Sequence, residues 1–141
     1  MRSVDFSAWL PFAQNWDWGA MDRDAGRGLQ PGPGEMAKSI GWTIIGLMRE
    51  QIPKPGQDIH SVVPLVFHKG NSLNGHVHPE HTVIFYIDPG EPACALLLSN
   101  DRRYCPSPGE VVVLGPDEWH AVEASRSDRP RKSLAIRVVT Q

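Results

Sequence analysis

Three of the six histidines fall within six consecutive residues, in Gly75-His76-Val77-His78-Pro79-Glu80-His81. On a strand, residues i and i+2 point to the same face. His76, His78 and, if the strand runs on past Pro79, Glu80 therefore project together, and His81 points away. Two imidazoles and a carboxylate are the donor types of a mononuclear metal site. A further histidine, His120, lies well downstream, after Gly109-Glu110-Val111-Val112-Val113-Leu114 and the turn Gly115-Pro116-Asp117-Glu118-Trp119. A bend in that turn returns His120 to the first pair. An H-x-H alone is also compatible with a solvated strand end; the separately placed His120 moves the reading to a metal.

These side chains need a scaffold, and the chain around them reads as β. From Ile59 onward, apolar runs occupy Val62–Phe67, Val83–Ile87, Ala93–Leu98, Val111–Leu114 and Leu134–Val139, separated by Gly70-Asn71, Asp88-Pro89-Gly90, Pro106-Ser107-Pro108-Gly109 and Gly115-Pro116-Asp117. Short strands at this spacing with turn residues between them predict a sandwich or barrel. Thirteen glycines and thirteen prolines in 141 residues, against averages of about 7% and 5%, exclude a helical bundle. The first fifty residues differ. Asp5 to Leu10 reads as a short amphipathic helix with Phe6, Trp9 and Leu10 on one side, stopped by Pro11. Trp9, Trp16 and Trp18 suit a lid packed over the core, and Gly26 to Gly34 must be a loop. Glu35 to Ile52 leans to a helix ending before Pro53, because Met36, Ile40, Ile44, Met48 and Ile52 recur every four residues. The organisation expected is one domain: a Trp-rich segment over 1–56, with a helical part, and a β core over 57–141.

Composition narrows the function classes. The chain is 40% hydrophobic and 21% charged, with a net charge of −2, which gives no electrostatic case for nucleic acid or an anionic membrane. No apolar run approaches the ~18 residues of a membrane span, and the first ten residues carry no signal-peptide core. Cys94 and Cys105 are too few for a disulfide scaffold or a zinc ribbon, and free thiols are the default. The expectation is a cytoplasmic protein.

The histidine region resembles the cupin family. Gly70, five residues, then His76-x-His78 reproduces its first motif, G-x5-H-x-H, and Gly90 stands where that motif ends. Gly109, a proline-bearing turn and His120 resemble the second motif. The usual glutamate of the first motif would fall at Thr82 or Val83, and the second motif's Pro and Gly positions hold Gly115 and Asp117. The same stretch resembles a second branch of that fold, the 2-oxoglutarate/Fe(II) oxygenases, whose pattern is H-x-D/E, a distant His and then Arg-x-Ser. His120 is followed after ten residues by Arg131-Lys132-Ser133. Aligning on Gly70 to His76 puts His78 in the acid's place; aligning on His78-Pro79-Glu80 restores an H-x-E. His78 is favoured as third ligand, with Glu80 the alternative, because Pro79 disturbs the strand just before Glu80.

The resemblance implies an all-β double-stranded β-helix (a jelly roll) with one or two N-terminal helices and a metal bound by His76, His78 and His120. It implies a mononuclear non-haem Fe(II) dioxygenase acting with O2 on a small molecule, with 2-oxoglutarate as co-substrate. In that setting Arg131 is the candidate to grip the co-substrate's far carboxylate. Ser133 is a second donor one strand period away, and Arg137, in phase through Ala135, is held in reserve. The competing reading of Arg131 is a solvated charge in the basic run Arg126 to Lys132. Tyr86 and Trp119 are candidates for the pocket wall, against plain packing. Two alternatives accompany this reading: a three-histidine cupin dioxygenase without 2-oxoglutarate, and a non-catalytic cupin binding a metal or small ligand. A homodimer is expected from the exposed edges of a jelly roll.

Overall fold

A computed structural model of the chain describes residues 1–14 and 58–139. The loop expected over Gly26–Gly34, the helix over Glu35–Ile52, and Trp16 and Trp18 lie outside the described residues. The described strands are β1 (Arg2–Asp5), β2 (Asp58–Phe67), β3 (Leu73–His76), β4 (His81–Asp88), β5 (Leu96–Leu98), β6 (Arg103–Tyr104), β7 (Glu110–Leu114), β8 (His120–Val122) and β9 (Arg131–Val139). They form a five-stranded sheet in the order β1-β7-β4-β9-β2 and a four-stranded sheet in the order β3-β8-β5-β6, antiparallel throughout.

Phe67, Ile84, Tyr86, Val112 and Leu114 of the larger sheet meet Leu96, Leu98 and Val122 of the smaller one, with Cys94 among them. Each such side chain taken out of water contributes roughly 1.5–3 kcal/mol. The opposite face of the larger sheet is buried as well, at Val83, Phe85, Val111, Val113, Leu134, Ile136 and Val138. That explains why these strands read as continuous apolar runs rather than alternating ones. On β9 the two faces differ in chemistry. Arg131, Ser133, Ala135 and Arg137 stand opposite Phe67 or the β4 residues Tyr86, Ile84 and Thr82, so these four face the space between the sheets.

The helix expected over Asp5 to Leu10 lies later in the chain, with Asp5 ending a strand. Arg2–Asp5 is a strand that pairs with β7 from Arg2↔Val113 to Asp5↔Glu110 and so joins the larger sheet. A 3-10 turn, Ser7–Trp9, and a short helix α1, Leu10–Gln14, follow. Pro11 does not stop the helix. It sits in the first turn, where a backbone N–H would have no partner and the ring's fixed φ suits the helix. The run Ala93–Leu98 is extended only from Leu96; Cys94 closes a turn through its N–H to the Pro89 carbonyl at 2.8 Å. Cys94 and Cys105 are free thiols. No helix among the described residues is long and apolar enough to cross a membrane.

Candidate metal centre

His76 ends β3 and His120 begins β8, and the two stand directly opposite one another in the antiparallel ladder. This register brings together residues separated by more than forty positions. The strand expected to carry His78 stops at His76, so His78 arrives by a different route. Its carbonyl accepts the Asp117 N–H at 2.7 Å, which ties the His78 loop to the turn leading into His120. That turn is itself fixed: Asp117 has a positive φ of 58°, and the Glu118 carboxylate accepts the Gly115 N–H at 2.9 Å and pairs with the Met1 amine at 3.2 Å.

The donor atoms of His76, His78 and His120 lie within 4.8 Å of one another, and their rings pack with centroids 4.3–5.3 Å apart. Two of the rings are held from behind. The Nδ1–H of His76 donates to the Asn74 carbonyl at 2.7 Å, and that of His120 to the Glu118 carbonyl at 2.9 Å. A carbonyl can only accept, so each Nε2 keeps its lone pair for a ligand. Burial pushes the His78 imidazole down to about 4, helped by the positive charge of Arg137. Burial also lowers His120, against the opposing pull of its bond to Glu118. Neutral imidazoles are the form a metal takes. Glu80 is not part of the group; its charge reaches His78 from outside it. His81 opens β4 and is buried away from the cluster, 7% exposed.

The other expected residues fall in different surroundings. Arg131 is 1% exposed, which overturns the solvated-charge reading. Arg126 and Arg129 are the arginines of that run that stay in solvent, Arg129 paired with Asp88 at 2.9 Å. The turn that leads into Arg131 is held by the Ser127 hydroxyl, which donates to the Arg129 carbonyl at 2.8 Å and accepts the Glu91 N–H at 3.0 Å. Arg131 lies over the rings of Phe67 at 4.7 Å and Tyr86 at 5.4 Å, a cation–π arrangement. Yet Arg131 Nε and Nη1, the Tyr86 hydroxyl and the Ser133 hydroxyl are all buried with no hydrogen-bond partner. Burial pushes the Tyr86 phenol up to about 12, with Arg131 opposing. Leaving such groups buried and unmet costs about 1–3 kcal/mol each, more for the charge.

Strands β8 and β9 follow one another in the chain but do not pair. They are in opposite sheets, because the turn through Ser127 carries the chain across the sandwich. Arg131 thus faces the interior from the larger sheet and His120 from the smaller. Trp119 is 41% exposed; its indole lies across Gly75, so close that a Cβ there would stand 2.1 Å from the ring. It flanks the histidines at the surface rather than lining the interior. Phe67 and the carbonyls of Asn74 and Glu118 escaped the sequence reading. Phe67 carries no signal beyond ending an apolar run, and backbone carbonyls carry none.

No protein-family model matches the chain, and no curated protein matches it. Solved structures do. The viral collagen prolyl hydroxylase of Paramecium bursaria Chlorella virus-1, in its 2OG complex, superposes with a TM-score of 0.73 at 12% identity over 97% of this chain and 94% of that one. A 2OG-Fe(II) oxygenase family oxidoreductase from Burkholderia pseudomallei gives 0.61 at 16% identity over 84% of this chain and 64% of its own. The polyketide cyclase RemF of Streptomyces resistomycificus gives 0.50 at 19% identity, over 59% and 56%. The chain spans less than two thirds of the latter two. The two facing antiparallel sheets and these likenesses establish that the chain has the double-stranded β-helix fold, in a form shared with 2-oxoglutarate/Fe(II) oxygenases.

Proposed function

We propose that this protein is a mononuclear non-haem Fe(II) oxygenase that uses 2-oxoglutarate to oxidise a small molecule. The observation that carries the reading is the orphaned set at Arg131, Tyr86 and Ser133, on the inward face of the larger sheet, opposite the smaller sheet that carries His76 and His120. A buried guanidinium with two hydroxyls beside it matches one carboxylate: a rigid fork for the charge and two further donors. Phe67 and Tyr86 keep water from that end. His76, His78 and His120 fit a transition metal, since three neutral imidazoles suit iron, zinc, copper or nickel. When bound, Fe(II) would supply the O2 chemistry, with the oxo acid as source of electrons. The chain's part is to hold the oxo acid by its far carboxylate and to present neutral nitrogen donors.

The test is anaerobic addition of Fe(II) and 2-oxoglutarate. The weak visible charge-transfer band of a chelate is the expected result, and its absence with iron bound overturns the reading. Arg131→Lys keeps the charge but loses the fork, so 2-oxoglutarate affinity should fall about tenfold, or roughly 1.4 kcal/mol, with metal affinity unchanged. His78 in place of a carboxylate favours a second reading, a three-histidine dioxygenase chelating its substrate directly. That enzyme would consume O2 with substrate and no 2-oxoglutarate. A non-catalytic metal-binding protein would consume none.

A further inference from the structure

Arg137 is the second arginine on the inward face of β9, and no ion pair or hydrogen bond to it occurs among the described residues. Its cross-strand neighbours are Ser61 of β2 and Thr82 of β4, and Thr82 stands opposite Leu114 of β7. Leu114 is the last strand residue before the turn that delivers His120, and Thr82 lies four residues after His78. The fold therefore sets Arg137 toward the histidine end of the space between the sheets and Arg131 six residues away on the same strand face. The charge of Arg137 bears on both His78 and His120. The two carboxylates whose charge also reaches those rings do not neutralise it. Glu118 is tied to the Met1 amine and the Gly115 N–H, and Glu80 makes no ion pair with it.

Charge accounting at this end is lopsided. Three neutral imidazoles bring no negative charge, whereas a site with one carboxylate ligand cancels part of the ion's charge. A dicarboxylate co-substrate spends one carboxylate on Arg131 and presents the other to the metal. Positive charge then remains uncancelled at the centre and on Arg137, and a half-buried guanidinium favours an anionic partner. We propose that Arg137 binds a carboxylate of the primary substrate, which makes the substrate class small organic acids. This rests on the oxygenase reading above, but concerns a different residue and a different ligand.

The experiment is saturation-transfer NMR on the full chain loaded with redox-inert Zn(II) and saturated with 2-oxoglutarate. The probes are acetate and benzoate, each against its neutral amide, acetamide or benzamide. The acids should bind and the amides should not. Arg137→Gln should weaken the acids about tenfold while Zn(II) and 2-oxoglutarate affinities stay within twofold; Arg137→Lys should fall between, as a charge without the fork. Equal binding of acids and amides overturns the proposal, as does binding of neither acid or an undiminished acid signal in Arg137→Gln. A loss of 2-oxoglutarate affinity instead would assign Arg137 to the co-substrate and equally overturn it. If the parent fails to bind 2-oxoglutarate yet holds the acids through Arg137, the oxygenase reading fails and the organic-acid site stands. Should Arg137→Gln not fold, Arg137→Lys and the parent's preference for acid over amide decide.

Discussion

His76 and His120 are oriented by the same small device, an Nδ1–H bond to the carbonyl two residues earlier. Each ring is thereby fixed in one tautomer before any ion arrives, so each contributes a donor that needs little rearrangement. His76→Ala or His120→Ala should abolish stoichiometric metal binding, measured by elemental analysis of dialysed protein, while the far-ultraviolet spectrum remains that of a β protein. His78→Ala should weaken binding at least tenfold, whereas Glu80→Ala should leave it within about twofold, because Glu80 stands outside the cluster. The reverse pattern would make Glu80 the third ligand. The histidines were legible as a pair plus a distant partner from their spacing in the chain, although the strand argument fails for His78, because β3 ends at His76. Arg131 was not legible as buried. Its neighbours in sequence are hydrophilic, and only the alternation of Lys132, Leu134, Ile136 and Val138 against Arg131, Ser133, Ala135 and Arg137 marks a strand whose polar face turns inward. That inversion of the usual pattern belongs to a site rather than a core.

At the scale of elements, apolar runs bounded by breakers located β2, β4, β7 and β9 in outline, since burial on both faces leaves an unmistakable composition. Strand β1 left no such mark. Arg-Ser-Val-Asp is too short and too polar to be extended on its own account, and β7 makes it a strand by offering an edge. Gly109 shows how closely this edge is fitted. Its φ is +82°, and a Cβ there would stand 2.5 Å from the Ser7 backbone; the Phe6 N–H also donates to its carbonyl at 2.7 Å. Gly109→Ala should therefore destabilise the protein by about 1–3 kcal/mol, read as a lower urea midpoint with an unchanged slope. A midpoint within experimental error of the parent's would mean that the β1 edge relaxes without consequence.

For the whole molecule, the histidine end of the sandwich sets the response to acid. His78 is pushed down to about 4 in the folded state, whereas an unfolded histidine titrates near 6.5. Between those values the unfolded chain binds more protons, so the stability of the metal-free protein falls as pH drops from about 6.5 toward 4. The lowered His120 and His81 act with the same sign. Glu123, lowered by its bond to Arg103, adds its own loss only as pH falls below the ordinary carboxylate range. Calorimetric melting of metal-free protein from pH 7 to pH 4 should show a steady decline, shallower in His78→Ala; a flat profile in the parent would contradict it.

Strand β3 is one of the two edge strands of the smaller sheet, four residues long, with an irregular register between Leu73 and His76. Edge strands of this kind open first in local fluctuations. Its last residue faces His120 across the ladder, so an ion held by both is a clasp between this edge strand and its inner neighbour. Metal should accordingly act as a brake on breathing. Amide hydrogens of Leu73 to His76 should exchange with deuterium more slowly once the ion is bound, while those at the far end of β9 keep their own pace. The exchange map would then trace occupancy of the centre strand by strand, with no substrate in hand.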